Sequence, residues 1–172
     1  MLQTKLLTKT KARVYKQISN SITDDVFDSI LIQTQIEDVA PLLGENLFND
    51  IINNPTNYAA LLSGGAYEVN GTIYQNYGLE AVLAYYFYAR YTMFGDINDT
   101  PFGLMQKISG EGTTQVSQKA KDALYTYNQN TAFTIWKSVE NYLIRTNNEL
   151  FNSLYLCRTP IKKQSFNISK IV

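Results

Sequence analysis

Hydrophobic and polar positions alternate with different periods along this chain, and one stretch has almost no polar positions. Residues 79–94 read LEAVLAYYFYARYTMF, broken only by Glu80, Arg90 and Thr92. Helix formers dominate it and neither Gly nor Pro interrupts. Tyr85, Tyr88 and Tyr91 form one ridge, Ala81, Ala84 and Tyr88 a second, and Leu83, Phe87 and Phe94 a third. A helix that is apolar on every side must be covered on every side. It is therefore the centre of a helical core or a helix shared with a partner subunit. Sixteen residues are short for a membrane span, and Arg90 would sit near the bilayer interior. A buried helix of a soluble bundle is expected.

The segments before it carry weaker periods. Residues 1–20 are polar and mixed, with Leu6, Leu7, Val14, Tyr15 and Ile18 able to dock an extended arm or a short helix. Thr23 suits an N-cap, with Asp24 and Asp25 in the first turn, where the helix dipole favours negative charge. Phe27, Ile30, Leu31, Thr34 and Asp38 then share a face at spacings of three and four. Pro41 should end or kink that helix. After Gly44, residues 45–53 read as a second helix with Leu47, Phe48, Ile51 and Ile52 inward. Asn57 can cap a short turn, YAALL. Residues 66–77, AYEVNGTIYQNY, are the strongest strand signal, because Asn70-Gly71 favours a tight type I′ turn. Two short strands are marginal alone, so this hairpin must lean on helices or on another chain.

Beyond the apolar stretch, residues 95–117 read as a long loop with an apolar patch of Phe102, Leu104, Met105 and Ile108. The patch either folds back on the chain's own core or meets a partner. Residues 117–151 then form a long helix capped by Ser117. Its predicted inward stripe is Ala120, Leu124, Tyr127, Thr131, Ile135, Val139, Tyr142, Thr146 and Leu150, flanked by Ala123, Trp136 and Leu143. A polar dip, TYNQNTA, marks a place to bend or face water. The expected mate of this helix is the 79–94 stretch, packed antiparallel. Together these signals predict a mainly α fold: a helical bundle with long antiparallel central helices, one short β-hairpin and extended termini.

Composition adds two points. Charged residues make up 17% of the 172 residues and aromatic ones 13%, with 13 tyrosines. That is more sticky surface than a lone monomer needs, which favours an oligomer or an assembly component. Charge is also unevenly placed. Residues 1–22 hold five bases (Lys5, Lys9, Lys11, Arg13 and Lys16) and no acid, and residues 158–172 hold Arg158, Lys162, Lys163 and Lys170 and no acid. The acids all lie between. The expected organisation is a basic arm at 1–22, a helical domain at 23–151 with the hairpin at 66–77 and the long loop at 95–117, and a basic tail at 152–172. The basic ends can be solvated, can bind the acidic body of a neighbouring copy, or can bind nucleic acid.

Catalytic chemistry is poorly supplied. There is no histidine, which removes the commonest general base and metal ligand and the standard triads. The single cysteine, Cys157, has no histidine to activate it and reads as a packing residue. Asp24, Asp25 and Asp28 cluster where helix-dipole compensation explains them. Asp96-Ile97-Asn98-Asp99 lacks the glycine and terminal glutamate of a calcium loop. Gly110-Glu111-Gly112 and Gly64-Gly65 lack the context of phosphate loops. No catalytic, metal or cofactor site is expected, and no enzyme activity.

The order of segments carries more. LLTKTKARVYKQIS is followed by TDDVFDSILIQTQIEDVAPLLGENLFNDII, then NYAALLSGGAYEVNGTIYQNYGLEAVLAYYFYARYTMFG, then NDTPFGLMQKIS, then the long helix and basic tail. This resembles the head-to-tail connector (adaptor, or head-completion) proteins of tailed bacteriophages. It is most similar to the portal-proximal ring protein of crAss-like gut phages. PLLGENLF and YGLEAVLAYYFYARY carry most of the resemblance. The resemblance implies a non-enzymatic virion protein of the neck, made in the host bacterial cytoplasm. Its partners would be copies of itself in a ring (usually a dodecamer), the portal protein, and other ring or tail proteins. DNA would pass through the channel without sequence-specific binding, and no membrane is involved. Contacts with subunit, portal or tail are expected at Phe102, Leu104, Met105, Ile108, Arg158, Lys162, Lys163, Phe166 and Ile168. The alternative is a small helical nucleic-acid-binding module that uses the basic termini.

Overall fold

A computed structural model of the chain describes residues 4–94, 97–100, 103–106 and 116–151. The fold is mainly α. The 79–94 stretch is helix α6 (Leu79–Phe94), and it forms the centre of the core. Ten of its side chains are buried, including six in succession from Leu79 to Ala84. Tyr86 faces the core, whereas the ridge of Tyr85, Tyr88 and Tyr91 is half-buried at its edge. The long helix α7 (Gln118–Arg145) packs along it. The pairing is antiparallel: the Tyr77 N–H just before α6 donates to Ser138 Oγ at 3.1 Å, while Lys16 spans Tyr88 on α6 and Tyr127 on α7.

Helix α7 corrects two expectations. It ends at Arg145 rather than running to 151, because Asn147 takes a left-handed φ of 54°. A new turn starts at Glu149, capped by the Asn148 side chain, and places Phe151 against Trp136. The inward face is Asn128, Ala132, Trp136, Val139 and Leu143. The period was legible, but the phase is turned by about one residue, or roughly 100°. Leu124, Tyr127 and Leu150 of the predicted stripe are exposed. The helix also runs unbroken through TYNQNTA, and Asn128 and Ala132 within it are buried. Asn128 Nδ2 donates to the Leu124 carbonyl, and its Oδ1 has no hydrogen-bond partner among the described residues.

Helix α1 (Lys9–Tyr15) precedes α2 (Asp24–Thr34), which starts on the Thr23 cap as expected. The backbone then passes through a π turn (Gln35–Val39) into α3 (Ala40–Leu43). Pro41 therefore does not end this helix, which widens into the π turn and continues. Its ring has no N–H and crowds the carbonyl four residues back; the wider turn, with Ala40 N–H bonded to Gln35 O, absorbs both. Gly44, at φ 82°, breaks the chain into α4 (Glu45–Asn53), whose Leu47, Phe48 and Ile51 are buried. A 3-10 turn (Pro55–Tyr58) and α5 (Ala59–Ser63) follow. Asn57 lies inside that turn rather than capping it.

Strands β1 (Gly65–Val69) and β2 (Thr72–Asn76) form the expected hairpin, with Tyr67 opposite Tyr74. Asn70 and Gly71 both have positive φ, as a type I′ turn requires. The hairpin leans on α7: Tyr67 meets Tyr142 edge-on at 4.9 Å, and the Arg145 guanidinium lies 3.8 Å from the Tyr74 ring centroid. A second antiparallel hairpin, β3 (Ile97–Thr100) and β4 (Gly103–Gln106), occupies part of what reads as a loop in the sequence. No helix among the described residues is long and apolar enough to cross a membrane.

Candidate assembly interface

The basic N-terminal stretch is where the structure adds most. It is folded onto the bundle: Leu6, Leu7, Ala12, Ile18 and Ile22 all belong to the core. Its anchor is Gln35 in the π turn, which is fully buried. Gln35 Oε1 accepts the Leu6 N–H at 2.8 Å, and its Nε2 donates to the Thr4 carbonyl at 3.0 Å. One side-chain amide thus holds two backbone groups of the N-terminal segment. All five cations of this stretch have partners within the chain. Lys5 pairs with Asp28 at 2.7 Å, Lys9 with Asp24 at 3.1 Å, and Lys11 with the buried Glu80. Arg13 donates to the Ser19 carbonyl at 3.1 Å. Lys16 lies 4.1 Å from the Tyr85 ring centroid, 5.2 Å from that of Tyr88 and 5.8 Å from that of Tyr127. Burial among these rings lowers the Lys16 pKa from its ordinary value.

The same π turn carries a second junction. Asp38 receives Arg90 in a two-pronged pair, Nε at 2.6 Å and Nη2 at 3.1 Å. Glu37 accepts Nη2 at 2.7 Å. Arg90 and Asp38 are both nearly buried, so the pair fixes α6 against the α2–α3 helix. The hydrogen bond to Asp38 is the main cause that raises the Arg90 pKa further. Glu37 is lowered, first by the Gln33 amide and then by Arg90. Sequence spacing places Asp38 on the inner face of its helix, but its partner lies 52 residues away. These pairs tie the elements of the chain to one another. Among the described residues, no group of three or more His, Cys, Asp or Glu side chains could hold a metal ion.

Among the described residues, the first ten positions of α7 carry uncovered apolar surface. None of residues 118–127 is buried, although this stretch is about 15 Å of helix at 1.5 Å per residue. Leu124 is 41% exposed, Tyr127 62% and the preceding Val116 54%. Phe94, at the end of α6, is exposed as well. This face is part of the stripe that the sequence pattern assigns to the core. It was readable as apolar, but its direction was not.

Of the expected contact residues, Leu104 and Met105 lie on β4, where Leu104 pairs with Asp99 and Met105 with Asn98. Phe102, Ile108, Arg158, Lys162, Lys163, Phe166 and Ile168 lie outside the described residues. A known family matches residues 39–161, well over half of the chain. The chain belongs to that family, described as a family of unknown function (DUF6712). The DUF6712 match opens inside the π turn, at Val39, and takes in α3 to α7 with both hairpins. Gln35 and Asp38 precede it; Asp38 ties the earlier segments to that unit through Arg90. No curated protein and no solved structure matches the chain.

Proposed function

We propose that the chain is a structural subunit of a phage-type head-to-tail connector. In this reading it is one copy in a ring under the portal, joining the portal to tail components around the DNA channel in the virion neck. The observation that carries the reading is the unburied start of α7, residues 118–127, with exposed apolar positions on a helix whose later part is seated in the core. A subunit that completes itself only in an assembly has such a surface. The buried pairs at Gln35 and Arg90 support it as well, since a ring subunit must be a stiff block. The nucleic-acid reading has less support, because every cation of the N-terminal stretch already has a partner in its own chain. Electron microscopy of the purified protein, with and without a portal ring, tests the proposal. Rings, or density stacked coaxially on the portal, are expected.

A further inference from the structure

The ring reading leaves open which surfaces meet, and two faces of this chain are chemically matched. The first is the N-terminal half of α7. Ala120, Leu124 and Tyr127 follow one another at steps of four and three, so they share one side of the helix. That side stands about 100° round the helix from the line of Asn128, Ala132 and Trp136, which is seated on α6. Lys119 and Lys121 flank it, and Lys16 lies over the Tyr127 ring at its far end. The face is therefore apolar with a cationic rim.

The second is the outer side of α2 and the π turn. Val26 is 44% exposed and Ile36 50%. Ser29 and Gln33 lie between them at steps of three and four, all exposed. Asp25 stands at one end and Glu37 at the other. This face belongs to the acidic part of the chain: residues 23–94 hold nine acids and one base. It is a mixed face, Val26 and Ile36 with Ser29 and Gln33 between them, with acids at its two ends: Asp25, and Glu37, which already pairs with Arg90.

We infer that a second copy of this chain docks the outer side of its α2 on the Ala120–Leu124–Tyr127 face of α7. The inference rests on the ring-subunit reading and adds the mating surfaces. Opposite rims favour this pairing over the pairing of either face with itself, which would oppose like charges. The contact joins two different faces, so each copy has one of each to offer. Such heterologous contacts close into a ring where the rotation permits and run on as filaments where it does not.

Sedimentation velocity on the full chain, over a concentration series, tests it. Leu124→Asp should weaken self-association at least tenfold while leaving the circular dichroism unchanged, since Leu124 is exposed. Lys119→Glu and Asp25→Lys should each weaken it severalfold, and the double variant should recover most of the loss. Association that ignores Leu124→Asp, or charge reversals that add without recovery, would overturn the pairing. So would binding of this face to portal rings but not to a second copy. Rings that survive all these variants would overturn the pairing and leave the ring reading intact. Dimers that need these residues, in a protein that ignores portals, would uphold the contact and remove the ring reading. A chain monomeric at every concentration and on portals would overturn both.

Discussion

Gln35 joins two parts of the molecule through one amide. Its two hydrogen bonds hold the backbone at Thr4 and Leu6, and no apolar side chain can replace them. Gln35→Ala leaves the Leu6 N–H without its acceptor and is expected to cost about 1–3 kcal/mol. The loss should appear in urea melts, with faster hydrogen exchange at Leu6 than at α6 amides. A second residue-scale prediction concerns pH. The Tyr58 hydroxyl donates to Asp50. Burial first, and that bond second, push the Tyr58 pKa up to about 12, while the same bond holds Asp50 below its usual value. Below pH 10 both the folded and unfolded states keep the tyrosine proton, so the contribution is complete. Above it the unfolded chain loses the proton first, and the stabilisation declines until the folded tyrosine titrates near 12. At the acid end it is present above the ordinary carboxylate range and is lost as pH falls through the lowered value of Asp50. Tyr58→Phe should therefore lower the urea midpoint at pH 7, and the difference from wild type should close from pH 10 to about 12.

Among the elements, the junction of α5, the first hairpin and α6 leaves no room for a side chain. A Cβ on Gly64 would lie 2.5 Å from the Asn76 carbonyl oxygen, and one on Gly78 2.7 Å from that of Leu62. Both glycines have positive φ, at 74° and 85°. The two backbones pass each other there, and Asn76 clamps them by donating to Ala60 O and accepting from Gly78 N–H. Gly64→Ala is expected to destabilise by about 2 kcal/mol or more, read from thermal unfolding. The Asn-Gly hairpin, the Thr23 and Ser117 caps and helix α6 were legible because each depends on local chemistry or on a pattern with no competing phase. The π turn was not, because Pro41 announces a disturbance without saying that the helix widens and continues. The phase of α7 was not, because two apolar faces share that helix and only tertiary contact selects one. Leu124 and Tyr127 satisfy the helical period as well as Trp136 and Val139 do. The contact patch read from the sequence lay on a different segment, between residues 95 and 117. The α7 face was hidden inside a stripe assigned to the core.

For the whole molecule, the N-terminal segment, α2 with its π turn, and α7 all converge on α6. Cations that look like a free basic arm in sequence are held by Asp24, Asp28 and Glu80 of the body. Among the described residues, the main ion pairs close within the chain, and exposed apolar positions stand at the start of α7 and on the outer side of α2. That arrangement is the basis for reading the protein as part of an assembly. The most direct measurement is electron microscopy of the full chain, alone and mixed with portal rings. The account predicts closed rings of the chain, or a layer of it seated coaxially on the portal. A protein that stays strictly monomeric and leaves portal rings undecorated would contradict it.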